Sequence, residues 1–304
     1  MDEYRPLPDA PEWFRRALSI PQTDLEVDVD GCAIHALASG EPGTRGLVFV
    51  HGGGAHAHWW THVSALFSPE FRVVAIDLSG HGDSGYRRHY SLEQWADEVM
   101  AVADAGAIDG PPVVIGHSMG GMVTIATAAR HAEHLGGAVV CDSPVTEPDP
   151  EIEAYQLKEA FGRLRTYDTV EDAVSRFRTV PAQDHYLDYV MDHVAHRSIR
   201  PVEGGWQWKF DRTVFEQFGG GLRSVVLPYL SQVQCRLALL RSEQGLVTAD
   251  IGRFMYEEMG RVTPVVELPE AGHHAMLDQP LIVLTALRTL LADWDHSEPV
   301  PRGA

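Results

Sequence analysis

A chain of 304 residues, 44% hydrophobic and 9% aromatic, carries enough apolar side chain for one large core or two smaller ones. Its 43 acidic residues against 24 basic ones leave a formal charge of -19, which speaks against binding nucleic-acid phosphates or an anionic membrane surface. Cys32, Cys141 and Cys235 are odd in number and far apart; they form neither a disulfide framework nor a metal-ligand spacing, and read as thiols of a reducing compartment.

The opening residues, MDEYRPLPDAPEW, are acidic and proline-bearing and lack the basic and apolar regions of a leader. No apolar run approaches the roughly 20 residues that span a bilayer, so a cytoplasmic chain without membrane contact is expected. DLEVDVDGCAIHALASG then alternates apolar and polar residues on either side of Asp30-Gly31, which predicts a hairpin because both turn positions tolerate positive φ. Beyond it the pattern changes to short apolar runs, GLVFV before 51, FRVVAIDL at 71–78, PVVIG at 112–116 and GGAVVCD at 136–142. Such runs suit strands buried on both faces of a parallel sheet. SLEQWADEVMAVADA, with a serine cap, and Met119 to His134 have helical spacing.

Residues 112–122, PVVIGHSMGGM, drive a strand straight into glycines and then into a helix. Gly116-His117-Ser118-Met119-Gly120 fits Gly-x-Ser-x-Gly, a sharp strand-to-helix turn that holds a nucleophilic serine in a strained backbone conformation. A helix-capping serine is the plainer alternative. The strand before and the helix after favour Ser118 as nucleophile.

From Val145 to about Val233 the α/β rhythm stops. EIEAYQLKEAFGRLRTYD, TVEDAVSRFRTV and QDHYLDYVMDHVAHRSI read as amphipathic helices, followed by GGWQWKFD and the glycine-rich FGGGLRS, so a helical insertion is expected. The rhythm resumes with CRLALLRS, a helix near 249–259, the strand TPVVELP and a helix from Pro280 through Trp294. Residues 1–144 and 234–304 then form one core interrupted by 145–233. A serine nucleophile needs a base that titrates near neutrality, and EAGHHAMLDQP, after the last strand, offers His273 and His274.

Together these segments resemble the α/β-hydrolase superfamily from about Leu25 to Trp294. The resemblance implies an eight-stranded, mostly parallel sheet flanked by helices, with a helical cap inserted after the sixth strand. It makes His51-Gly52-Gly53-Gly54 the oxyanion loop, with the backbone amides of Gly53 and Met119 as donors. His273, directly after Gly272 and ahead of Asp278 and Pro280, becomes the base, and His274 a wall residue. DLSGHGDSG at 77–85 is similar to the superfamily's Asp-x-x-Gly-x-Gly-x-Ser segment, with Ser79 where arginine is usual. It is taken as a fold signature in which His81 organises loops. GWQWKFD resembles a cap-to-core junction, which makes Trp206 and Trp208 candidates for lining an acyl pocket. The acid departs from the pattern, because LLRSEQGLV carries Ser242, Glu243, Gln244 and Gly245 where an aspartate is usual. Asp142, at the end of AVVCDSPV, is the first choice and Glu243 the second.

The implied activity is hydrolysis of a small to medium, moderately apolar ester or lactone through an acyl-enzyme, with no metal or organic cofactor. Serine at the elbow speaks against haloalkane dehalogenase and epoxide hydrolase chemistry. Carbon–carbon bond hydrolases and cofactor-free haloperoxidases share the architecture, and a non-catalytic ligand-binding homologue is a rival of a different class.

Overall fold

A computed structural model describes residues 4–146, 165–217 and 221–297. Strands β1 (Thr23–Val29) and β2 (Cys32–Ser39) form an antiparallel hairpin in which Val29 pairs with Cys32. The two residues between them have positive φ, 51° at Asp30 and 75° at Gly31, the backbone a tight hairpin turn requires. The remaining strands of this sheet are β3 (Gly46–Val50), β4 (Arg72–Ile76), β5 (Val113–His117), β6 (Gly137–Cys141), β9 (Leu237–Gln244) and β10 (Val265–Gly272).

Eight strands pair in the order β1-β2-β4-β3-β5-β6-β9-β10, antiparallel at β1/β2 and β2/β4 and parallel thereafter. β3, β4 and β6 are buried along their whole length, which is why they read as unbroken apolar runs. Alternate residues feed two cores. Val48, Val50 and Val114 pack with Trp95 and Val99 of helix Leu92–Ala105 and Val123 of helix Met119–Arg130. Leu47, Phe49 and Ile115 pack on the opposite face with Phe14, Trp60 and Leu287. Phe14 belongs to a helix, Glu12–Ser19, that the proline-rich start did not suggest; Pro11 precedes its first turn, where a missing N–H costs nothing.

Between β6 and β9 the chain leaves the sheet. Its described part contains helices Val170–Ser175, Asp188–Arg197, Thr213–Gln217 and Leu222–Leu230. Most of the amphipathic stretch beginning EIEAYQ, and the first residues of FGGGLRS, lie outside the described residues. The insertion also holds something that helical spacing did not predict, an antiparallel hairpin of β7 (Ile199–Val202) and β8 (Gly205–Trp208). Gly204, at φ 83°, turns it, and Trp206 exchanges backbone hydrogen bonds with Tyr167 at 2.8 and 2.9 Å. A four-residue strand whose partners are another short strand and a single bridging residue leaves little periodic signal. No described helix is long and apolar enough to cross a membrane.

Candidate active site

Ser118 stands between the end of β5 and the first residue of helix Met119–Arg130, with φ 55° and ψ -121°. Positive φ is strained for a residue with a Cβ, and the neighbouring contacts hold it there. Ser118 donates its N–H to Cys141 O at 3.0 Å, and Gly121 N donates to Ser118 O at 3.0 Å. The flanking glycines are steric requirements: a Cβ at Gly116 would strike Gly120 O and Thr124 Oγ1, one at Gly120 would strike His51 O, and one at Gly121 the Ser143 hydroxyl. Met119 opens the helix, so its N–H lies outside the helix's own hydrogen-bond ladder.

His273 follows the last residue of β10 and is buried. Its Nδ1 lies 2.7 Å from Asp142 Oδ2 and its Nε2 3.0 Å from Ser118 Oγ. With the carboxylate fixing the proton on Nδ1, Nε2 is the acceptor of the Ser118 hydroxyl. Asp142 comes one residue after β6 at φ 43°, and also accepts backbone N–H groups from Leu246 at 2.7 Å, Val247 at 3.2 Å and Ser242 at 3.3 Å. Glu243 points elsewhere, its Oε2 accepting from Glu270 N at 2.8 Å. Of the two carboxylates offered by the sequence, Asp142 therefore meets the imidazole.

The second histidine has a different occupation. His274 accepts nothing from Ser118; its N–H donates to Gln183 Oε1 at 2.8 Å and its Nε2 to Pro181 O at 3.1 Å, with its ring 5.4 Å from Trp59. His117, under the elbow, directs Nε2 at His273 O at 2.8 Å. Burial pushes both His117 and His274 well below the usual histidine range, so neither places a positive charge beside His273 near neutrality. One ring nitrogen from each of His117, His273 and His274 lies within 4.8 Å of the others, but His273 spends both of its own on Ser118 and Asp142. Gln183, which also donates to Asp278 Oδ2 at 2.9 Å, sits in the insertion and had no motif to mark it.

The glycine loop after β3 lies against this group. His51 Nδ1 donates to Gly52 O at 2.7 Å and its Nε2 accepts Leu78 N at 3.1 Å, which pins the loop to the end of β4. A Cβ on Gly52 would sit 3.2 Å from Ser118 Cβ, and one on Gly53 3.1 Å from Phe215 Cε1 and 3.6 Å from Met119 Sδ. DLSGHGDSG serves as scaffold: Asp77 accepts Ala57 N at 2.6 Å, Asp83 N at 2.8 Å and the His35 Nδ1 proton at 2.8 Å. Burial opposes the charge of His35, but the hydrogen bond and charge of Asp77, then Asp24, raise it to about 9. His81 is buried, pushed down to about 3 by burial and by His51.

Above the loop is a cleft of about 190 Å³ that Gly53 and Gly54 share with Trp59, Phe177, Trp208 and Phe210. Trp208 lines it. Trp206, two residues away on β8, is half-buried and stands outside its described lining.

A model of the Alpha/beta hydrolase family matches residues 47–286. An esterase of Mycobacterium tuberculosis is 27% identical over 303 residues, covering 96% of each chain. Protein PHYLLO of Arabidopsis thaliana is 23% identical over 305 residues, but this chain spans only 17% of its length. Among solved structures, E-2-(acetamidomethylene)succinate hydrolase superposes with a TM-score of 0.78 at 21% identity, over 90% of this chain and 100% of that one. A family match over residues 47–286, on an eight-stranded sheet of this order with a strained serine at the β5 turn, has one conclusion: the chain belongs to the alpha/beta hydrolase family.

Proposed function

We propose that the protein is a serine hydrolase that cleaves a small to medium, moderately apolar carboxylic ester or lactone through an acyl-enzyme on Ser118. The observation that carries this reading is the unbroken hydrogen-bonded line Asp142–His273–Ser118, at 2.7 and 3.0 Å. His273 takes the Ser118 proton as Oγ attacks the carbonyl carbon, then gives it to the departing alkoxide. In the second half, water attacks the acyl-enzyme, His273 takes its proton, and Ser118 is regenerated when that proton returns to Oγ. Asp142 holds the ring in the tautomer that this requires and stabilises the imidazolium. The backbone amides of Gly53 and Met119 are the oxyanion donors, an interaction worth about 3 kcal/mol per donor in the transition state.

Residues 145–233 act in this reading as a cap over a core made of 1–144 and 234–304. The cleft between Gly53, Gly54 and Trp208 supports that division, as do the contacts of Gln183 with His274 and Asp278. Trp206 and Trp208 are the proposed substrate-binding aromatics, Trp208 with the more direct support. Buried free thiols at Cys32 and Cys141 agree with a reducing, cytoplasmic setting.

A fluorophosphonate probe tests the reading. The wild-type chain should be labelled and should hydrolyse activated esters, while Ser118→Ala should lose the label and about three or more orders of magnitude of turnover with its fold intact. Labelling that persists in the variant would refute Ser118 as the nucleophile.

A further inference from the structure

The cleft beside the glycine loop has an uneven lining. Its glycines and aromatic residues are uncharged, whereas Arg176 and Arg178, flanking Phe177 in the chain, also line it, and among the described residues no aspartate or glutamate does. In a chain with 43 acidic residues and 24 basic ones, a cleft lined by two arginines and by no described carboxylate residue runs against the composition.

Arg178 has no ion pair among the described residues, and Arg176 has one that engages a single nitrogen of its head. Arg178 donates Nη1 to the carbonyls of Ser175 at 3.1 Å and Phe177 at 2.6 Å, bonds that orient the head without neutralising it. Arg176 donates Nε to Asp172 at 3.1 Å, one helical turn back, which leaves its terminal nitrogens for another acceptor. Phe177 packs toward Trp208 at 5.7 Å and Trp59 at 6.1 Å between ring centres, so apolar surface is continuous from the arginines to Gly53.

We propose that Arg176 and Arg178 are specificity residues for an ester whose apolar body carries a carboxylate at the end remote from the scissile bond. Guanidinium groups present planar, paired N–H donors that match a carboxylate's two oxygens. The ester carbonyl meets Ser118 and the glycine loop, the aromatic side chains cover the body, and the carboxylate meets the arginines. Both arginines are exposed, so each contact is screened by water and contributes modestly. They give locally what the chain's overall negative charge would otherwise deny an anionic substrate. This inference rests on Ser118 as the nucleophile.

The test is kcat/KM for two matched pairs of esters. One pair places the charge on the acyl half, mono-para-nitrophenyl glutarate against para-nitrophenyl pentanoate. The other places it on the alcohol half, para-acetoxybenzoate against its methyl ester. In at least one pair the wild-type enzyme should favour the carboxylate, on the order of tenfold for two screened pairs. That preference should shrink with added salt and collapse toward unity, through KM, in the Arg176→Gln, Arg178→Gln double variant. The neutral ester of each pair is the internal reference for folding. Absence of preference in both pairs, survival of the preference in the double variant, or equal loss on both members of a pair would each overturn the proposal. Turnover of neutral esters without a carboxylate preference sinks this inference alone. Absence of turnover on every ester removes the hydrolase reading and this inference with it.

Discussion

Asp142 and Gly245 compete for one volume, since a Cβ at position 245 would collide with the Asp142 carboxylate. The Asp142 carboxylate arriving from the end of β6 therefore requires glycine on the loop after β9, whose Leu246 and Val247 N–H groups converge on it together with that of Ser242 in β9. Asp142→Asn should retain most of this geometry while weakening support for the imidazolium, lowering kcat/KM by up to roughly four orders of magnitude. Glu243→Gln should cost far less, because among the described residues Glu243 accepts from Glu270 N and not from His273. Gly245→Ala should push the carboxylate aside and cost on the order of a hundredfold, the scale of a displacement of about 1 Å in a catalytic group. Steady-state kinetics on an activated ester, with circular dichroism to verify folding, rank the three variants. A Glu243→Gln loss larger than the Asp142→Asn loss would give the acid role to the later strand.

At the scale of elements, helix Asp188–Arg197 seats on the segment after β3 through buried histidines. His56 Nε2 and Oγ of the C-cap residue Ser198 share a hydrogen bond at 2.8 Å and Thr61 Oγ1 and His193 Nε2 one at 3.1 Å, while His62 ties the same segment to the turn after β10 by donating Nε2–H to Met276 O at 2.6 Å. The Nδ1 atoms of His58, His62 and His193 have no partner among the described residues. Burial pushes His62 down to about 4, and burial followed by Arg197 pushes His58 down to about 3; His56 and His193 are also held well below the usual value. The unfolded chain takes up protons at these histidines as pH falls through about 6.5, while the folded chain resists until about 4 at His62 and about 3 at His58, and well below 6.5 at His56 and His193. Their contribution to stability is thus complete above about 6.5 and lost on acidification, about 2 kcal/mol at pH 5 for each of His58 and His62. His35 works in the opposite sense: its stabilisation is complete below about 6.5 and disappears as pH rises through about 9. Thermal melts should show the midpoint falling from pH 7 to pH 5, with a shallower fall in His62→Gln; a pH-independent midpoint over that range would contradict the account.

Across the whole molecule, the sheet supplies the proposed reacting groups and the stretch between β6 and β9 supplies most of the cleft wall. Ser118, Asp142 and His273 leave the C-terminal ends of β5, β6 and β10, whereas Phe177, Trp208 and Phe210 come from the stretch between β6 and β9. Remote binding energy is what that wall can add, so Trp208→Ala should lower kcat/KM for a long acyl chain several times more than for an acetate. A series of para-nitrophenyl esters from acetate to octanoate measures the difference, and equal losses along the series would make Trp208 a packing residue.

What the sequence determined alone was whatever depends on local sterics and short periods. Asp30-Gly31 announces its turn because few residue pairs accept two positive φ angles, and the buried strands announce themselves as apolar runs because both of their faces are covered. The glycines around Ser118 are legible for the same reason, since a Cβ at 116, 120 or 121 has nowhere to go. Tertiary structure decided which of Asp142 and Glu243 reaches His273, a pairing across 131 residues set by where β6 and β10 end in the sheet. It also decided the β7–β8 hairpin, the position of Trp208 rather than Trp206 on the cleft, and the pairing of Gln183 with His274 across 91 residues. The hairpin's strands are too short to leave a period, and the other pairings join residues far apart in the chain that meet only once the sheet and the insertion are folded.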